Sequence, residues 1–264
     1  MSDSNAAARN QTDEADFVST DNATEFLRLI NVLERELRRQ AVRRDERNAE
    51  KMQLNDLIRD SDALFTRRER DELHSFRVLR NSIVHEPYDN RSQQYPIAVP
   101  RDQSVARLRA LVNKAAQPPK LADLPKLKTP VVLDADAPVS RFLELVAPPR
   151  SFSQAPLRDG DSYELVTTNL VARWLAAEFV SSDGRLVAET PLRALLEHAE
   201  KRDRVELVSE TMPALEALRA LGGDLDARSD PSIPPAALLV MRGREPVGIL
   251  TQSDIPDLLH WIEG

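Results

Sequence analysis

The chain has 264 residues, enough for two domains that each bury a core, and it carries no cysteine, which excludes disulfides and thiolate metal sites. A formal charge of −7 excludes a globally basic nucleic-acid binder, although it leaves room for a local basic patch. The opening MSDSNAAARNQTDEADFVSTDN lacks the apolar stretch of a signal peptide, and no apolar run approaches the roughly 18 residues of a membrane helix, so a cytoplasmic protein without a membrane partner is expected.

In chain order, residues 1–21 are polar and Ala-rich with little to bury, and are expected to form a disordered tail. From TDNATEFLRLINVLERELRRQ onward, Phe26, Leu27, Ile30, Leu33 and Leu37 fall at helical spacing behind an Asp/Asn/Thr cluster that offers caps. KMQLNDLIRDSDALFT and RRERDELHSFRVLRNSIVH follow, then a loop holding Pro87, Pro96 and Pro100, then SVARLRALVNKAA. Residues 22–116 are therefore expected to be a bundle of four to five helices. QPPKLADLPKLKTP, with four prolines in fourteen residues, cannot continue a helix, and 117–128 is expected to be a linker. Beyond it short apolar runs alternate with helical patterns: PVVLD, SRFLELVA, SYELVTT, NLVARWLAAEF, RVELV, TMPALEALRAL, PAALLVMRG, PVGILT and IPDLLHWI. The expected fold class is multidomain, α followed by α+β.

Near the end of the third helical pattern, Leu73, Phe76, Leu79, Ile83 and Val84 share one arc of an ideal helix, and Arg80 lies within it. A guanidinium there must be paired, extended to solvent or turned into an interface. Asn81 and His85 are i, i+4 neighbours, so the Asn amide could orient the imidazole. Pro87 ends the helix at Glu86, which sets His85 at the negative end of the helix dipole and favours its protonated form.

Arg80, Asn81 and His85, coming after a run of helices, resemble the motif of the HEPN family, an Arg, a polar residue, three residues and a His. The resemblance covers about residues 22–116 and implies a metal-independent endoribonuclease working as a homodimer, with two motifs facing one cleft. His85 would then serve as general base on a 2′-hydroxyl or as acid to the leaving oxygen, giving a 2′,3′-cyclic phosphate; Arg80 would stabilise the phosphorane charge and Asn81 would orient the histidine. Arg80 and His85 stand about 140° apart on one ideal helix, so two chains assemble such a site more easily than one. Two other readings stay open: Arg80 makes an interhelical ion pair while His85 caps the helix, or the bundle is an inactive dimerisation or RNA-binding module. The basic run RELRRQAVRRDER is read either as a contact for RNA phosphates or as a solvated helix flank with internal partners. There is no DNA signal. His74, His198 and His260 show no metal-ligand spacing, and Trp174 and Trp261 read as core or dimer-packing residues.

The C-terminal half is duplicated. SYELVTTNLVARWL and EPVGILTQSDIPDLLHWI share a strand ending in Thr, a polar turn and a helix with a Trp, which implies two β-α-β-β-α copies at about 129–190 and 191–264. AALLVMRGREPVGILTQSDIPDLL resembles a CBS domain, with Gly248, Ile249, Leu250, Thr251 and Asp254 fitting its Gly, two apolar residues, Thr or Ser, two residues, Asp signature. The resemblance runs from about residue 128 to the C-terminus and implies a tandem pair packed sheet to sheet, binding an adenine nucleotide (AMP, ADP or ATP) at Gly248, Thr251 and Asp254. Thr251 and Asp254 sit where a strand gives way to a helix, so free N–H groups can face a phosphate while a carboxylate accepts from sugar hydroxyls. The alternative is that Ser253 or Asp254 only caps the helix. In the first copy Glu164 stands in place of Gly248 and Leu170 in place of Asp254 when Thr167 is matched to Thr251; the acid is missing, with Thr168 and Asn169 left as polar contacts. Backbone near RVELV is expected to line the base. The combined expectation is an endoribonuclease gated by an adenine nucleotide, with a non-catalytic nucleotide-sensing regulator as the alternative and no metal in either.

Overall fold

The structure is a computed structural model that describes residues 4–44, 49–85, 98–181, 188–223 and 233–263, the side chains of 4–20, 43, 44, 85 and 181 excepted. The chain divides into two compact units, Met1–Pro118 and Pro119–Gly264.

The first unit is helical: α1 (Ser4–Arg44), α2 (Leu54–Arg59), α3 (Arg67–His85) and α4 (Asp102–Ala116). Where a disordered tail to residue 21 was expected, the α1 backbone is already helical from Ser4, and its described burial starts at Ala23. Phe26, Ile30, Leu33 and Leu37 form the stripe that the spacing predicts, with Leu29 buried beside them and Leu27, expected in the stripe, only half-buried; they close one core with Leu57, Phe65, Leu73, Phe76, Ile83, Leu108 and Leu111. Phe26 meets Phe76 edge to face at 5.8 Å. The pattern KMQLNDLIRDSDALFT is helical only over α2, because Ser61 turns the chain: its hydroxyl donates to the Ile58 carbonyl, and its own carbonyl accepts the Leu64 and Phe65 amides. α3 starts on a capping box in TRRE, with Thr66 N–H donating to Glu69 Oε2 and Glu69 N–H to Thr66 Oγ1. Buried Glu69 also takes Lys114 Nζ at 2.8 Å, tying α3 to α4. Glu25 does the same for α1, accepting from Arg28 and from Arg109 on α4.

Within the basic run, Arg38 meets Glu34 at 2.8 Å and Arg39 meets Glu36 at 2.5 Å, as a solvated flank with internal partners would have it, while the side chains of Arg43, Arg44 and Arg47 lie outside the described residues. On α3, Val84 departs from the expected apolar arc: it is exposed, whereas Leu73, Phe76 and Ile83 are buried.

The second unit repeats one motif. The first copy is β1 (Leu133–Asp134), α5 (Val139–Val146), β2 (Gln154–Asp159), β3 (Ser162–Thr167) and α6 (Thr168–Ser181); the second is β4 (Val205–Ser209), α7 (Ala214–Ala220), β5 (Ala237–Arg242), β6 (Glu245–Thr251) and α8 (Ile255–Glu263). The sheets run β1-β2-β3 and β4-β5-β6, parallel in the first pairing and antiparallel in the second, with Gln154 opposite Thr167 and Ala237 opposite Thr251. Gly160 and Gly243, both at φ 61°, take the first position of the two-residue hairpin turns, where only glycine is unstrained. Each sheet packs on its own helices, Leu157, Val166, Leu170 and Trp174 in one copy and Val208, Leu238, Val240 and Leu250 in the other. Leu165, Ala237, Leu239 and Ile249 form a seam between β3 and the second sheet.

Where a linker was expected at 117–128, residues 119–128 bond to the second copy. Leu121 N–H donates to the Met212 carbonyl, Ala122 N–H to that of Glu210, and Ile249 N–H to that of Lys128, while Leu121 is fully buried beside β4 and β6. The chain between the copies does the reverse: Leu192 N–H donates to the Ala137 carbonyl and Arg193 N–H to that of Ala135, and Leu192 and Leu195 enter the first copy's core. Residues 191–198, expected to open the second copy, thus complete the first.

Two outcomes follow from this packing. A Cβ at Gly248 would come within 2.3 Å of Leu127, so Gly248→Ala lowers stability in urea unfolding by about 1–3 kcal/mol, and Leu127→Ala in the same chain recovers part of that loss. Hydrogen bonds from Arg28 and Arg109 hold the Glu25 carboxyl well below its usual range, at about 2, so the stability it contributes is present above its unfolded pKa and lost as pH falls through the folded one. Unfolding of wild type and Glu25→Gln should differ at neutral pH by no more than about 1 kcal/mol, because the pair is partly solvated, and the difference should vanish toward pH 2.

Candidate functional site

The second copy gathers two of its three expected residues. β6 ends at Thr251, whose extended backbone (φ −131°, ψ 171°) turns the chain into the 3-10 turn Gln252–Asp254 and then α8. Asp254 Oδ2 accepts both Thr251 N–H and Thr251 Oγ1, each at 2.8 Å, and the Thr251 hydroxyl also lies 2.7 Å from Ser253 Oγ. This is a reciprocal capping box with Thr251 as the cap residue and Asp254 three residues on, whereas the alternative reading put the cap at Ser253 or Asp254. It is not the whole environment of the carboxylate. Asp254 is 7% exposed, and its other oxygen, Oδ1, accepts Lys128 Nζ at 2.5 Å. Burial pushes the Asp254 carboxyl up, but the Lys128 ammonium and the Thr251 hydroxyl and amide outweigh it, so its pKa lies below the ordinary value.

Gly248 plays a different part from the one expected. It faces Leu127, whose side chain occupies the space a Cβ would need, so the missing side chain serves the close approach of residues 119–128 rather than an open surface. The β4 segment RVELV exposes Glu206 and Leu207 and buries Val208.

The first copy holds a carboxylate that its own motif lacks. Thr167 Oγ1 accepts the Leu170 N–H as cap of α6 and donates to Asp203 Oδ1 at 2.8 Å. Asp203 comes from the chain between the copies, is buried, and spends Oδ2 on the Arg173 guanidinium and the Glu200 N–H. Arg173 is fixed further by the His198 carbonyl at 3.0 Å. Each strand-end threonine therefore meets a carboxylate neutralised by a cation, with the parts exchanged: in the first copy the acid comes from the connecting chain and the cation from the helix, in the second the acid from the strand-to-helix turn and the cation from the connecting chain. Sequence reasoning missed Asp203, Arg173 and Lys128 because each lies outside the signature and is brought in by tertiary pairing. Thr168 is half-buried and Asn169 exposed; Trp174 is core, and Trp261 packs partly buried near Leu258.

A groove of about 770 Å³ opens elsewhere, at the hairpin-turn end of the sheets, lined by Arg158, Tyr163, Leu207, Met241 and Arg244; Gly248, Thr251 and Asp254 take no part in it.

In the helical unit, Arg80 and Asn81 are half-buried in the last turns of α3, and Arg80 Nη1 donates to Asn81 Oδ1 at 3.2 Å. Asn81 thus engages the arginine. His85 closes the helix, and its side chain, with the imidazole orientation expected of it, lies outside the described residues, as do Pro87 and Pro96. No helix among the described residues is long and apolar enough to cross a membrane.

No family model matches the chain. No curated protein matches it. Among solved structures, a putative acetoin utilization protein (AcuB) from Vibrio cholerae is similar at 20% identity, over 55% of this chain and 93% of that one, with a TM-score of 0.38. A CBS domain-containing protein of unknown function from Kribbella flavida matches at 18% identity over 54% and 98%, TM-score 0.40, and a CBS domain-containing protein from Thermotoga maritima at 16% over 56% and 97%, TM-score 0.37. With TM-scores below 0.5, none of these likenesses bears weight on function.

Asp203→Asn removes the charge that holds Arg173 and weakens the Thr167 contact; it should destabilise by about 1–3 kcal/mol in urea unfolding, and combining it with Thr167→Val should cost less than the two separate losses added together.

Proposed function

We propose that the chain is a regulatory protein whose C-terminal half is a tandem CBS pair sensing an adenine nucleotide, with the helical half as the part it regulates. The observation that carries this reading is the pair Thr251 and Asp254 at the strand-to-helix junction of the second β-α-β-β-α copy, with an exposed ammonium, Lys128, beside it. A strand-end hydroxyl and the start of a helix suit phosphate, a carboxylate suits the sugar diol, and a lysine supplies opposite charge to the anion. One ligand per chain is the expected stoichiometry. In the first copy the equivalent threonine is buried and the cation beside its carboxylate, Arg173, is also held by the His198 carbonyl, whereas the Lys128 side chain is 63% exposed.

A second reading concerns the helical half: a HEPN-type, metal-independent endoribonuclease acting as a homodimer on RNA through Arg80, Asn81 and His85. It is favoured by the contact of Arg80 with Asn81 in the final turns of α3, five and four residues ahead of His85. Regulation of such an activity would require the nucleotide to bind one arrangement of the protein better than another.

Titration calorimetry with AMP, ADP and ATP should show saturable heat at one site per chain, lost in Asp254→Ala; unchanged heats in the variant would discard this placement. Incubation of wild type, Arg80→Ala and His85→Ala with total RNA in the presence of a chelator separates the second reading. Cleavage by wild type alone, leaving cyclic phosphate ends, supports the nuclease, whereas equal inactivity of the three folded proteins leaves the sensor without it.

A further inference from the structure

Asp254 has a hydrogen-bonding capacity that can be counted. Its Oδ2 is filled by two donors from Thr251, so any sugar hydroxyl must be accepted by Oδ1. Oδ1 is held by Lys128 Nζ at 2.5 Å. The two partners differ in freedom: the Asp254 side chain is 10% exposed and anchored, while that of Lys128 is 63% exposed, on a flexible four-carbon stem. Its backbone stays fixed, because the Lys128 carbonyl accepts the Ile249 N–H at 2.9 Å and Leu127 sits on Gly248.

Resting on the nucleotide reading above, we infer that Lys128 is a displaceable occupant of the site that makes it select phosphorylated ligands over bare nucleosides. The ammonium holds one of the two acceptor positions of Oδ1, and a ribose diol donating from both hydroxyls needs both. A nucleoside must evict it into water and forfeit a charge-assisted hydrogen bond. A nucleotide evicts it onto its own phosphate, within reach of the same side chain, so the bond lost to Asp254 is replaced by one to the anion. Selection by phosphate then comes from a competition for one oxygen as well as from attraction, and the first copy has no counterpart: its cation, Arg173, is tied to the His198 carbonyl as well as to Asp203.

Calorimetry of wild type, Lys128→Gln and Lys128→Arg with adenosine, AMP, ADP and ATP tests this, with thermal melts confirming that each variant is folded. Lys128→Gln should bind adenosine several-fold more tightly than wild type and ATP roughly tenfold more weakly, the loss of one charge-assisted bond; Lys128→Arg should keep the wild-type preference. Opposite signs for nucleoside and nucleotide are the mark of a displaced occupant. If wild type binds nucleotides but Lys128→Gln weakens or strengthens all four ligands alike, or leaves them unchanged, the displacement is overturned and the nucleotide site stands. If no ligand binds wild type or either variant, both the site and the displacement are overturned.

Discussion

The chain entering the α+β unit is hydrogen-bonded to the copy farther from it in sequence, and this exchange governs much else in the unit. Residues 119–128 pair with β6 and the turn after β4 and bring Leu121 into the core of the second copy; 191–198 pair with the turn after β1 and add Leu192 and Leu195 to the core of the first. Neither β-α-β-β-α run is complete without the segment from outside it. Leu121, Leu192 and Leu195 are fully buried, each worth about 1.5–3 kcal/mol of apolar burial that an isolated copy would forfeit. The two copies therefore form one cooperative body. Contacts such as Lys128 with Asp254, 126 residues apart, can form only after long loops have closed.

The exchange also decides how the buried acids are neutralised. A carboxylate at a helix start is well placed to cap, but once the connecting chain covers it, it needs opposite charge as well. The two copies solve this with the same three kinds of group and opposite sourcing. Asp203 arrives on the connecting chain and finds Arg173 on the helix; Asp254 sits at the start of the helix and receives Lys128 from the connecting chain. The consequence is an asymmetry between copies that look alike in outline. The first cation is a guanidinium held by several acceptors, the second an ammonium with most of its side chain in solvent.

Local patterns were the legible part of the chain. The stripe from Phe26 to Leu37 follows a period of 3.6, and the extents of α3 and α4 follow from RRERDELHSFRVLRNSIVH and SVARLRALVNKAA with little change. Thr251 and Asp254 stand out in the sequence through their resemblance to the CBS signature, and their place between a strand and a helix suits the capping they make. The strand β2 was faint, since QAPLRD has a proline in the middle of a central strand. It is tolerated because the alternation of the β2–β3 ladder turns Pro156 toward the β1 side, where β1 pairs only with Leu157 and Arg158, so no ladder bond is lost. What could not be read was tertiary. Prolines 118, 119, 125 and 130 correctly rule out a helix, but nothing local says that the extended chain will pair with Ile249, cover Gly248 and carry Lys128 to Asp254. Asp203 was invisible for the same reason: the motif position it replaces is held by Leu170, and the compensating acid lies 36 residues from the threonine it serves.

The segment 119–128 is held on the second copy by contacts of unequal strength. The amides of Leu121, Ala122 and Ile249 bond backbone to backbone, and Leu121 and Leu127 are packed on the sheet, so detaching the segment would break several bonds and expose apolar surface together. The pair of Lys128 with Asp254 is, among the described residues, a polar contact of the segment made by side chains alone, with the lysine side chain 63% exposed. Loss of that pair alone would therefore leave the register of the segment on β6 in place, because the Ile249 N–H to Lys128 carbonyl bond and the packing of Leu121 and Leu127 do not depend on it.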